Sequence, residues 1–401
     1  MLNPALTTLL VFQVLSGILV APLFSLLPIY VEKELHLTPD VSSNIRAFFV
    51  LMGGMVALVG GTVCDRLGRK PAYLLAMTGV VTAGLLFLLH DRSLLYLLAL
   101  YSGMMFGLGS VAGQAYLMET APDGTLALAT AGYFMTGTLG NAVGSALSGW
   151  VAREAANGYA VLGLTMAGGN AALLLLAARL LPALPKPAAS HEPGAFHGGG
   201  GGFFSRPAIW FLLGLRFLPT VYWAAATFLM PLLLFRLTGS EKTAGYYTSA
   251  SLVLAAVCQV GVGRIVDRVG VRAPVLVAVS LVAVATLGQA LLTTHTAALI
   301  AFGLLGAGAA WSLSITMTTL VRSLSTEATR ARLLGFAHWA WSAGFLTGTL
   351  MSGHLVRGKS PSGASPVFLI CAGCCALAVL CAVVVVSAAV EPEPPAPAGS
   401  S

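Results

Sequence analysis

The chain has 401 residues, 57% hydrophobic and only 9% charged, with a net charge of +7 and a mean hydropathy of +0.88. Soluble domains carry about 25% charged residues, so this supply cannot cover a water-exposed surface, and soluble enzymes, nucleic-acid binders and disordered scaffolds are excluded. Lipid is the main solvent; at about 20 apolar residues per spanning helix plus a short loop, the length allows about twelve spans.

The first apolar stretch, 5–30, follows no basic residues and is longer than the roughly 7–15 residues of a signal-peptide core. It reads as the first span. Apolar runs at 173–178 and 376–386 are unlike the alternating strands of a barrel, so the spans are helices. Charges, Gly/Pro clusters and polar runs then place them at 5–30, 43–63, 72–90, 94–119, 126–151, 159–181, 207–235, 243–263, 274–293, 296–321, 331–355 and 366–390. Between the sixth and seventh, 182–206 contains Pro-Ala-Leu-Pro-Lys-Pro and five consecutive glycines, Gly198–Gly202, the composition of a flexible linker. The predicted plan is an N-terminal six-helix bundle (1–181), a cytoplasmic linker (182–206), a C-terminal six-helix bundle (207–390) and a Pro-rich disordered tail (391–401).

With the N-terminus inside, the cytoplasmic segments hold twelve Lys/Arg and the outer loops seven, while Arg46 and Arg216 fall within spans. That bias places both termini in the cytoplasm. The halves also repeat. Residues 61–70 read Gly-Thr-Val-Cys-Asp-Arg-Leu-Gly-Arg-Lys and 263–272 read Gly-Arg-Ile-Val-Asp-Arg-Val-Gly-Val-Arg. At an offset of 202, Gly61, Asp65, Arg66 and Gly68 match Gly263, Asp267, Arg268 and Gly270; Pro28 matches Pro231 at 203, and Gly140, Gly144 and Gly149 match Gly344, Gly348 and Gly353 at 204. Parallel repeats of this kind build alternating access in several carriers.

The run Gly61-x3-Asp65-Arg66-x-Gly68-Arg69-Lys70 between spans two and three, with its degenerate copy between spans eight and nine, resembles the signature loop of the major facilitator superfamily. The resemblance covers essentially the whole chain and implies an all-α membrane protein of twelve transmembrane helices in two pseudo-symmetric six-helix bundles. It further implies that Asp65, Arg66, Arg69 and Glu119, the acid closing span four, join a gating network, with Asp267 and Arg268 as its second-half counterparts. Gly61 and Gly68 are expected to permit close helix contact and a tight turn. Arg66, Arg69 and Lys70 suit the inner lipid headgroups; a topology anchor alone is the alternative. Gly137-x2-Gly140-Asn141-x2-Gly144 resembles the span-five motif of proton-coupled drug exporters but has Asn141 where proline is expected, and the arginine those exporters carry in span four is missing.

Intramembrane polar residues are the default functional candidates. Arg216, about ten residues into span seven, has Gln13 of span one as its repeat mate; it either holds an anionic substrate group or serves a structural contact. Arg46, near the outer end of span two, reads as snorkelling to the outer interface, with a substrate-binding or structural role as the alternative. His338, the one histidine well inside a span, either carries a coupling proton or stays neutral and hydrogen-bonded. Tyr222, Trp223, Trp339 and Trp341 are aromatic lining candidates, and Gln114 and Asn141 can supply hydrogen bonds. All fourteen acids lie in loops, tails or span ends. Cys371-x2-Cys374-Cys375 lacks adjacent histidine or acid and reads as packing, not metal binding. No catalytic or ATP-binding motif is present, so no cofactor is expected.

These features predict a monomeric secondary transporter in the cell membrane, multi-pass, rocking two halves around a central site. Its partners are a small-molecule substrate, protons as coupling ion and membrane lipids, with no nucleic acid. The leading expectation is proton-coupled efflux (antiport) of small amphipathic compounds. The alternative is a carrier for an anionic metabolite using Arg216; a non-transporting receptor or an intramembrane enzyme is the remote one.

Overall fold

Proline, glycine and charge set where the helices begin and end. The computed structural model describes residues 4–121, 126–184, 206–325, 327–356, 358 and 360–388, without the side chains of 126–128, 267 and 327–332. Residues 185–205 of the predicted linker and the predicted tail, 391–401, lie outside the described residues. The first half contains α1 (Pro4–Ser25), α2 (Leu27–Lys33), α3 (Pro39–Leu67), α4 (Arg69–Gly84), α5 (Arg92–Thr120), α6 (Leu126–Glu154) and α7 (Gly158–Leu180). The second contains α8 (Pro207–Thr238), α9 (Glu241–Val269), α10 (Arg272–Leu291), α11 (Thr296–Leu324), α12 (Glu327–Leu355) and α13 (Ser365–Ala388).

The first predicted span is two helices. Pro22 lies inside α1 and Pro28 in the first turn of α2, and each removes a backbone donor from the ladder. Its counterpart α8 runs unbroken for 32 residues despite Pro219 and Pro231. With α1 and α2 as one span, the helices give the twelve predicted. Among the described residues ten helices are long and apolar enough to cross a bilayer; α6 and α12, 29 residues each, complete the set and are rich in glycine and polar residues. Most helices outrun their predicted spans by a few residues, because their charged ends continue past the hydrocarbon.

Each half packs its helices in the same pattern. α1 lies on α6 as α8 lies on α12, α3 on α5 as α9 on α11, and α4 on α7 as α10 on α13. Across the halves α6 meets α9 and α3 meets α12, again related by the repeat. This is the pair of pseudo-symmetric six-helix bundles the sequence predicts.

Glycine makes these approaches possible. A Cβ at Gly140 or Gly144 would overlap the carbonyls of Val14 and Ile18 on α1, and one at Gly344 or Gly348 those of Phe217 and Val221 on α8. Gly107 likewise meets the backbone of Gly53. Small residues are what let helices approach in lipid. Gly107→Val is therefore expected to cost about 3 kcal/mol, the upper end for overpacking. It should read as a lower thermal unfolding midpoint in detergent. Gly61→Val, with no atom within 4 Å of its Cβ position, should leave that midpoint unchanged.

Candidate functional site

A cavity of about 560 Å³ lies between the halves, walled by α1, α3, α4, α5 and α6 on one side and α8, α9, α11 and α12 on the other. Its walls are mostly apolar and aromatic. Gln13, Gln114, Asn141, Trp223, His338 and Trp341 all line it. The structure thus brings six of the eight predicted substrate-site residues together. His338 stacks on Trp341 at 5.6 Å and 28°, and Trp341 packs on Phe345 at 5.5 Å.

The other two stand apart from its lining. Arg216 donates from Nη1 to the Ser314 Oγ at 2.9 Å, a contact between α8 and α11 inside the second half. Tyr222 is fully buried in the second half's core, with its ring against Gly306. Trp339 is 66% exposed on α12 and does not line the cavity either. In its place Trp311 of α11 does, edge-on to Trp223 at 5.7 Å.

Arg46 departs most from its predicted place. Instead of snorkelling, it is buried between the halves, 8% exposed, and lines the cavity. Its Nη2 donates to the Thr227 Oγ of α8 at 2.9 Å, and its guanidinium carbon lies 5.2 Å from the Phe345 ring centroid. The Arg46 Nε and Nη1 have no partner, nor do the Asn141 Oδ1 and the Trp311 Nε1.

One end of the cavity is closed by contacts that join the halves. Arg236 of α8 grips Glu32 of α2 through Nε–Oε1 at 2.9 Å and Nη2–Oε2 at 2.5 Å, with side chains 5% and 11% exposed. Lys33 reaches the fully buried Glu241 at 2.7 Å, whose carboxylate sits in the first turn of α9, where the helix dipole favours it. Lys242 pairs with Glu154. That hydrogen bond and charge hold the Glu154 carboxyl below its ordinary value. The pair's contribution is therefore present at neutral pH and is lost as pH falls through the lowered value.

Backbone contacts close the same end. A Cβ at Gly149 would stand 2.6 Å from the Glu241 carbonyl, and Gly245 approaches the Ser145 carbonyl equally closely. Gly353 meets Ser43 and the Pro39 carbonyl. Gly149–Gly245 and Gly353–Ser43 are equivalent crossings under the repeat. By sequence alone these charged residues are only loop and span-end charges. The repeat held no signal for the pair: at the offset of 203 that matches Pro28 with Pro231, Arg236 falls opposite Lys33, of like charge.

At the far end the halves splay apart. Gly61, Gly261 and Gly263 have no atom within 4 Å of their Cβ positions, and Leu58 and Val257 are 79% and 63% exposed. The close contact expected at Gly61 is therefore missing from this state, whereas Gly68 does make the tight turn, with φ 92°. Arg69 pairs with Asp65 at 3.0 Å and with Glu119 at 2.5 Å, tying α3, α4 and α5 together within the first half. Lys70 donates to the Ala178 carbonyl at 2.8 Å, at the negative end of the α7 dipole. Arg66 and Arg268 are exposed at this end; the Asp267 side chain lies outside the described residues.

The sequence matches a family model described as Major Facilitator Superfamily over residues 9–317 and 220–401. It is 31% identical over 164 residues to the uncharacterized MFS-type transporter YwoD of Bacillus subtilis (strain 168), a match spanning 39% of this chain and 36% of that protein. The fold is similar to that of the nucleoside transporter NupG in a mutant form (TM-score 0.79, 15% identity, 95% of this chain and 99% of that one). It is also similar to a POT family transporter in complex with a thioalcohol-conjugated peptide (TM-score 0.77, 12% identity, 96% of each chain). A bacterial homolog of the human lysosomal transporter Spinster, in an inward-facing and occupied conformation, has a TM-score of 0.71 at 14% identity over 95% of this chain and 96% of that one.

Proposed function

The chain belongs to the major facilitator superfamily, and from that membership we propose that this multi-pass transporter carries small amphipathic solutes across the cell membrane by alternating access. The supporting observation is one cavity shared by two repeat-related halves, sealed at one end by contacts that join them and splayed at the other. With the Asp65 loop, the linker and both termini in the cytoplasm, as the positive-inside bias has it, this state is open inward. Rocking the halves about the cavity breaks the Glu32–Arg236 and Lys33–Glu241 pairs. The same motion carries the 61–70 and 263–272 loops toward the opposite half, where Asp65, Arg66, Arg69 and Glu119, with Asp267 and Arg268, act as the clasp of the outward-open state. Gly61 then receives a neighbour that it lacks here.

Purified protein in liposomes is expected to exchange a labelled amphipathic solute, with a cysteine at Ser251 in the cavity wall reached from one membrane face at a time. Binding without movement would mean a receptor, and chemical turnover without a gradient an enzyme. Either result removes the carrier reading.

Proton-linked export is the second reading, and His338 favours it. Among the described residues lining the cavity there is no aspartate or glutamate, and His338 is the one histidine, the residue type best suited to carry a proton under physiological conditions. Collapsing the proton gradient should stop extrusion, and His338→Gln should abolish the gradient-driven component while sparing solute exchange. Extrusion that continues unchanged without a gradient excludes the proton.

A further inference from the structure

Arg46 is the one formally charged side chain lining the cavity among the described residues. It is more than nine-tenths buried, yet its Nε and Nη1 are unpartnered. Thr227 takes Nη2 but is neutral, and the ring of Phe345 offers only its face. A buried guanidinium is costly unless an anion and hydrogen bonds satisfy it, and no wall residue supplies the anion. The Trp311 Nε1 is a further unpaired donor in the same cavity, while Trp223 and Trp341 give it flat apolar walls. Arg46 sits on the first half, Trp311 and Thr227 on the second, so an occupant of this position touches both moving bodies.

We infer that Arg46 is the anion site of the cavity, and that the solute is a monoanionic organic carboxylate whose apolar body lies among the aromatic walls. One uncompensated positive charge calls for one negative charge. The anion replaces the missing counter-charge and accepts from the free guanidinium nitrogens, a charge-assisted contact stronger than a neutral one. Arg216, engaged with Ser314 away from the lining, leaves this role to Arg46. The inference rests on the cavity being the carrier's solute site.

The test is thermal unfolding of the purified full chain with benzoate, naphthalene-2-carboxylate and decanoate, each beside its amide and its amine. At least one acid is expected to stabilise the wild type with an affinity about tenfold or more above its amide, as one charge-assisted contact implies. Arg46→Gln should abolish that preference, and Arg46→Lys, which keeps the charge and the fold, should weaken the acid while leaving the amide unmoved. The site is overturned if no acid outbinds its amide, or if both variants bind the acid as the wild type does. Flux in proteoliposomes separates the two claims. Arg46-dependent binding of an acid that never crosses leaves the site standing and ends the transport reading. Movement of amide or amine with no preference for acid leaves transport standing and ends the anion site.

Discussion

Leucine in place of Gly149 should turn the sealed end of the cavity into an entrance. A side chain there has no room while α6 and α9 cross. Its Cβ alone would stand 2.6 Å from the Glu241 carbonyl and 3.1 Å from the Gly245 Cα, and main chain gives way far less than a flexible side-chain tip. Within one bundle such an insertion would damage packing, but here the two bundles can rock apart and relieve it. Overpacking costs about 1–3 kcal/mol, which at the upper end shifts a two-state equilibrium roughly 100-fold. In cells carrying Ser251→Cys, labelling by a membrane-impermeant maleimide from outside should rise by about that factor, with protein yield unchanged. Labelling at the parent rate would mean that the Gly149–Gly245 crossing does not hold the end shut.

Glu32→Gln should produce a comparable opening by a different route. It leaves the Arg236 guanidinium, 5% exposed, without its carboxylate, and removing one partner of a buried pair costs about 3–5 kcal/mol. Opening the end lets water reach Arg236, so the cost falls on the closed state. Arg236→Met with Glu32→Gln removes both charges and should recover most of the closed population. The double variant is therefore expected to label more slowly than Glu32→Gln alone, the non-additivity that contact predicts. Labelling of Glu32→Gln at the parent rate would show that the pair contributes nothing to closure.

How far the sequence could be read depended on whether a feature repeats along the chain or arises only between the halves. Spans two to twelve, their division into two repeated halves and the Gly68 turn follow from apolar runs, a near-constant offset and a signature loop, all local or periodic signals. The break at Leu26 was visible in Pro22 and Pro28, yet α8 tolerates two prolines, so proline alone does not decide a break. Of the predicted lining, residues on α1, α5, α6 and α12 such as Gln13, Gln114, Asn141 and His338 do face the cavity. Arg216 and Tyr222 share helix α8 with Trp223, but apolarity on every side hides which face looks inward. Arg46 is hidden for a different reason. Its position near one end of α3 suggested the headgroups, while the contact with Thr227 that buries it exists only once the second half is in place.

The solitary charge of Arg46 also bears on what cannot slip through. A metal cation such as sodium entering the wide mouth would approach a fixed cation in surroundings of low polarity, with no carboxylate among the described residues of the wall to offset the repulsion. An arginine in a narrow aqueous path is one of the ways pores exclude cations. A molecule built like this can present a broad vestibule at its splayed end and still hold back cations from the membrane in which it sits.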